Sequence, residues 1–114
     1  MINDTVPIGA WIEPKSRLLD LGCGDGTLLR RLIDDYQVQG YGLEIDPDSI
    51  NLCIQKGLNV IEQDLNKGLK NFPDNSFDTV LMSQTLQALR NPHLVLDEML
   101  RIGNRCIVTF PNFG

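Results

Sequence analysis

Leu18-Leu19-Asp20-Leu21-Gly22-Cys23-Gly24-Asp25-Gly26-Thr27 sets three glycines at alternate positions between a short apolar run and the start of a helical pattern. Glycines at 22 and 24 open backbone conformations closed to other residues and let the main chain approach a ligand closely. A dinucleotide-binding turn reads GxGxxG, with its third glycine where Thr27 stands; here that glycine is Gly26. The GxGxG form points away from NAD and toward S-adenosylmethionine (SAM). The helix beginning near Gly26 offers unpaired N–H groups and the positive end of a dipole, which suit the carboxylate of the methionyl moiety. Asp20 ends the strand facing the loop, a partner for the cationic amino group. Cys23 reads as a small loop residue, at a helix start where a thiolate would gain stability.

Outward from this loop, short apolar runs alternate with amphipathic stretches. Arg17 to Leu21 reads as the first strand and Thr27 to Asp35 as a helix with Leu28, Leu29, Leu32 and Ile33 on its core face. Arg30 and Arg31 fall on that helix's solvated side. Gln39 to Ile45 is the second strand; Pro47 opens a helix through Lys56, and Gly57 closes it. Asn59 to Gln63 is a third strand, followed by a turn-rich stretch from Asn66 to Asn75. Phe77 to Ser83 carries Val80, Leu81 and Met82 without a break, as a parallel strand buried on both faces does, and Asp78 within it reads as structural. Asn91 caps a helix that Pro92 opens, with Leu94, Val95, Met99 and Ile102 as its apolar stripe and Gly103 as its end. Arg105 to Phe110 is the fifth strand. The expected fold is α/β, a Rossmann-like doubly wound parallel sheet in the order 3-2-1-4-5.

Glu44 ends the second strand near the spacing, roughly 20 residues past the loop, at which an acid meets ribose hydroxyls. A carboxylate accepts two such bonds at once. Ile45 is placed in the same pocket, whereas Asp46 lies further out and serves as a cap for the helix at Pro47. Asp64 either accepts from the adenine amino group or shapes a turn, and Leu65 packs on the ring. Ser83, Gln84 and Thr85 lie at the carboxyl edge of the fourth strand, where their polarity fits a pocket wall; capping the next short helix accounts for Ser83 equally well. His93 follows Pro92 at a helix start and reads as surface. No general base stands out; methyl transfer from an activated sulfonium needs chiefly proximity and orientation.

The 114 residues suit one domain, and 42% hydrophobic with 22% charged residues is ordinary for a soluble protein. No apolar run approaches the roughly 18 residues of a membrane span, and residues 1–14 lack a secretory pattern, so the cytoplasm is the expected compartment. Cys23, Cys53 and Cys106 are scattered beside a single histidine, which predicts reduced packing residues without disulfide or metal. A net charge of −5 with dispersed lysines and arginines argues against nucleic acid as a partner.

LLDLGCGDGTLL, YGLEID, FDTVLMSQTLQALRNP and EMLRIGNRCIVTFPNFG together resemble the bacterial MetW family of methionine biosynthesis proteins, over nearly the whole chain. The resemblance implies a class I SAM-methyltransferase core lacking the last two strands of the full sheet, as the N-terminal part of a longer protein. It also implies a role in methionine biosynthesis beside a homoserine O-acyltransferase. Two functions follow from it. One is SAM-dependent methyl transfer to an acceptor that the residues do not name. The other is a subunit that binds SAM or S-adenosylhomocysteine (SAH), senses the end product and modulates the acyltransferase without methylating anything. Where class I enzymes often carry an acid and a histidine after strand four, this chain has Gln87 and Ala88. An uncovered fifth strand leads us to expect either a homodimer or a shortened chain.

Overall fold

A computed structural model describes residues 8–83 and 85–109; Gln84 and Phe110, named above, lie outside them, as do residues 1–7 and 111–114. Strands β1 (Arg17–Leu21), β2 (Gln39–Glu44), β3 (Asn59–Glu62), β4 (Phe77–Ser83) and β5 (Gly103–Thr109) form one parallel sheet in the order β3-β2-β1-β4-β5. Helices α1 (Thr27–Tyr36), α2 (Pro47–Gln55) and α3 (Pro92–Ile102) make the crossovers together with short turns. This is the doubly wound α/β sheet expected from the sequence.

β1 and β4 show why the central strands read as unbroken apolar runs. Successive side chains point to opposite faces, and both faces are covered. Leu18 and Leu81 join Leu29 and Leu32 of α1 and Cys53 of α2 in one core. Leu19, Val80 and Met82 join Val95, Met99 and Ile102 of α3 in the other.

Several details differ from expectation; α1 runs to Tyr36, one residue further than expected, and α2 stops at Gln55, one residue short. β2 stops at Glu44 instead of Ile45, because the Asp46 carboxylate accepts the Ser49 N–H at 3.0 Å and starts α2 there. β3 closes at Glu62, one residue early. Gly103 not only ends α3 but is already in β5, with extended backbone and Phe77 as its partner in β4. A Cβ at this position would come within 2.5 Å of the Val80 side chain, so a glycine lets helix run into strand without a loop. Asn91 occupies the cap position of α3, but its side chain makes no capping hydrogen bond.

Leu94 does not belong to the buried stripe. Val95, Met99 and Ile102 lie within about 60° of one another on the helix, whereas Leu94 points about 100° away from Val95 and is 61% exposed. Met99→Ala is therefore expected to cost about 3 kcal/mol of stability, and Leu94→Ala no more than about 0.5 kcal/mol. Urea denaturation monitored by circular dichroism measures both.

Candidate functional site

The site grows from the turn between β1 and α1. The carbonyl oxygen of Leu43 accepts two bonds, from Gly22 N at 2.7 Å and Cys23 N at 3.1 Å, and pins the turn over the end of β2. The chain then climbs to α1 through φ values of +69° at Gly22, +58° at Gly24 and +84° at Gly26, a left-handed region that favours glycine. Gly26 begins the helix, and its missing side chain leaves room for Leu58, whose Cδ1 lies 2.3 Å from where a Cβ would stand.

Two pockets flank the turn and share Gly22. The first, of about 310 Å³, is walled by Asp20, Cys23, Gly24 and Ser83 among the expected residues, and also by Asp25, Thr27, Leu28 and Arg31. The second, of about 330 Å³, takes in Glu44, Ile45, Asp64 and Leu65, together with Gln63, Thr85 and Leu89. Gly26 lines neither and acts in packing α1 on the chain after α2.

Asp20 lies on the same face of β1 as Leu18, beneath α1, and is 2% exposed. Its Oδ1 has no hydrogen-bond partner. Burial first, and then the Glu44 carboxylate, push its pKa up to about 7. An unpartnered buried acceptor costs about 1 to 3 kcal/mol, and Asp20 is one of the residues that line the first pocket.

Glu44 is already engaged. Gly24 N donates to its Oε1 at 2.8 Å, and Ile45 N and Asp46 N donate to its Oε2 at 3.0 Å each. A carboxylate has roughly four acceptor sites, so two ribose hydroxyls would require one backbone donor to give way. Asp64 does shape a turn, accepting Asn66 N at 2.9 Å, while lining the second pocket beside buried Leu65. Ile45 is exposed on the same wall.

Other expectations need correction. Ser83 caps no helix: its Oγ accepts from Thr109 Oγ1 at 3.1 Å, and Thr85 stands at the cap of the turn Leu86–Ala88. Cys23 is no thiolate site, because burial above all, then the Asp20 charge, drives its pKa far above the usual thiol range. Its sulfur lies 3.7 Å from that of Cys53, whose thiol donates to Gly24 O at 3.2 Å. The start of α1 is already taken in part: Asp25 Oδ1 accepts the Thr27 N–H at 3.0 Å and its hydroxyl at 2.7 Å. Asp78 accepts the Arg17 N–H at the opposite end of β1, a structural role as expected. His93 is exposed.

The sequence reading missed Thr27, Leu28 and Arg31. Thr27 and Arg31 are four apart and share a helix face above the loop, a signal that was present; Arg31 is exposed, yet it belongs to the pocket wall. Leu89 was missed as well, whereas Thr85 lines the second pocket at the carboxyl edge, where the sequence placed it.

A parallel sheet of this order, with a glycine turn after β1 and a crevice along its carboxyl edge, defines the class I SAM-dependent methyltransferase fold. A SAM-dependent methyltransferase from Archaeoglobus fulgidus matches with TM-score 0.61 and 34% identity, over 74% of this chain and 36% of that one. The [4+2]-cyclase SpnF matches with TM-score 0.71 and 26% identity, over 81% of this chain and 36% of its own. The chain belongs to the MetW family, described as methionine biosynthesis protein MetW, whose model matches residues 2–114. It is 41% identical to the bifunctional methionine biosynthesis protein MetXA/MetW of Rhodopirellula baltica, over 99% of this chain and 18% of that relative.

The elevated pKa of Asp20 gives a signed expectation for stability. The folded state keeps the Asp20 proton while the unfolded chain releases it near the ordinary aspartate value of 3.8, so stability falls as pH rises from there through about 7. Asp20→Asn removes the buried charge and is expected to melt about 5 °C above the wild type at pH 8, with the difference shrinking toward pH 4. Calorimetric melts at both pH values measure it.

Proposed function

We propose that the two pockets form one crevice for SAM and SAH, and that the domain serves methionine biosynthesis in the cytoplasm through SAM-dependent methyl transfer. The observation that carries this reading is the buried Asp20 carboxyl, its Oδ1 without a partner, on a residue that lines the pocket beside the glycine turn. In this assignment Asp20 holds the ligand's ammonium group, and Gly22 and Gly24 let the main chain pass close to the ligand. Glu44 takes the ribose hydroxyls by exchanging its bond to Gly24 N, and Ile45, Asp64 and Leu65 bound the adenine. Bound SAM supplies an activated methyl group, so the protein contributes chiefly orientation and exclusion of water.

A second reading makes the domain a SAM- or SAH-binding subunit that regulates a homoserine O-acyltransferase. It is favoured by the relative that carries MetXA and MetW in one polypeptide. It is also favoured by the acidic and thiol groups of the first pocket, Asp20, Cys23 and Asp25, none of which is set up as a base for a methyl acceptor. Asp20 is assigned to the ammonium, the Cys23 thiol stays protonated, and Asp25 is tied to Thr27. The fold itself does not choose between the readings, since one architecture hosts many chemistries.

Titration calorimetry with SAM, SAH and NAD tests the common core. SAM and SAH are expected to bind and NAD to fail, and Glu44→Gln to weaken SAH binding by about tenfold. Failure of SAM and SAH to bind, or a preference for NAD, overturns the assignment. Transfer of the SAM methyl group to an acceptor then supports the first reading, and altered acyltransferase activity without methyl loss supports the second.

A further inference from the structure

A groove of about 330 Å³ lies between the loop 66–70 and the first two turns of α3, and it shares only Asn66 with the two pockets of the crevice. Its two walls are tied together at both ends. Near one end the Asn66 Oδ1 accepts the Arg90 N–H at 3.0 Å. Near the other, Arg101 of α3 donates to the Leu69 carbonyl at 2.9 Å and to the Phe72 carbonyl at 2.8 Å. Between them Gln63 braces the loop by donating to the Gly68 carbonyl at 2.9 Å. The groove is thus built into the fold.

The chain carries a net charge of −5, yet three of its ten lysines and arginines, Lys67, Lys70 and Arg90, line this one groove. Among the described residues, none of these three side chains has a hydrogen bond or an ion pair. Arg17, Arg30, Lys56, Arg101 and Arg105, by contrast, donate to protein oxygens. Two carboxylates also line the groove. Glu98 is already matched, since each of its oxygens accepts a bond from Arg101 at 2.9 Å. Asp97 alone is left to oppose three cations, a surplus of two positive charges. Beside them Leu94, 61% exposed, and Val95 add an apolar wall. A volume of this size is that of a small-molecule pocket, whereas a protein partner needs roughly 1,000 Å² of contact.

We propose that this groove is a second binding site, for a small phosphate monoester that carries an apolar substituent. A phosphate monoester bears close to two negative charges at neutral pH, which matches the surplus on Lys67, Lys70 and Arg90. A lysine meets phosphate as a point charge, and an arginine adds two parallel N–H bonds. The substituent covers Leu94 and removes apolar surface from water. Because the three cations are exposed, their pull on the ligand is screened by salt. The site stands independently of the SAM and SAH reading.

The test titrates hexyl phosphate and inorganic phosphate near pH 7.5 and at low ionic strength, by calorimetry and by amide NMR shifts. The proteins are wild type, the double variant Lys67→Gln/Arg90→Gln, and Leu94→Ala. Wild type is expected to bind one hexyl phosphate about tenfold more tightly than inorganic phosphate, with the largest shifts at residues 66–70 and 90–95. The double variant is expected to weaken both ligands by about fivefold, and Leu94→Ala to cut the preference for hexyl phosphate to about threefold. Melting temperatures are expected to stay equal, since the substituted side chains are exposed. Hexyl phosphate that fails to saturate, that binds the double variant as it binds wild type, or that shifts the glycine turn most overturns the proposal. So does a preference that survives Leu94→Ala in full, or an acidic peptide such as hexaglutamate binding where hexyl phosphate does not.

Discussion

One carbonyl oxygen, that of Leu43 at the end of β2, accepts the N–H groups of both Gly22 and Cys23 and so decides how β1 turns into α1. The consequences run through the whole site. With the turn laid over the end of β2, the adjacent Glu44 reaches the Gly24 N–H, and one carboxylate ties the loop to the start of α2 through Ile45 N and Asp46 N. The same placement needs Gly42 beneath it, where a Cβ would come within 2.6 Å of the Cys23 sulfur. Asp20 is Gly42's partner across the ladder and stays in the interior under α1, beyond the reach of any donor for its Oδ1.

That arrangement is unfavourable for the free protein and useful for a ligand. A buried carboxylate without partners destabilises the fold most where it is ionised, and a cationic ligand group removes that penalty when it binds. Strain of this kind concentrates at functional sites, where local rules of stability give way. Cys23 and Cys53 belong to the supporting structure: two protonated thiols in contact, one of them donating to the Gly24 carbonyl, fill the space between the glycine turn and α2.

Much of the fold was legible because its signals are local. The glycine spacing, the unbroken Val80-Leu81-Met82 run and the helix starts at Pro47 and Pro92 each depend on a few adjacent residues, and they gave the order of elements and the sheet. The errors arose where distant residues compete. Asp46 took Ile45 out of β2, Val80 made Gly103 a strand residue, and the helical angle moved Leu94 off its stripe. In the site, the residue types at strand ends were legible because open α/β sheets place them at one edge. What could not be read was how their bonds are distributed. Nothing local foretold that Gly24 N, 20 residues before it, would be a donor to the Glu44 carboxylate, or that the buried Asp20 Oδ1 would find no hydrogen-bond partner among the described residues.

The central claim is that the orphaned Asp20 carboxylate is the seat of a ligand's ammonium group. It is tested most directly by following the Asp20 carboxyl carbon by NMR through a pH titration, with the protein free and then saturated with SAH. The free protein should titrate near pH 7, and saturation should lower the midpoint by about one unit or more, because an adjacent cation favours the ionised form. A midpoint that stays in place when SAH is bound would contradict the claim.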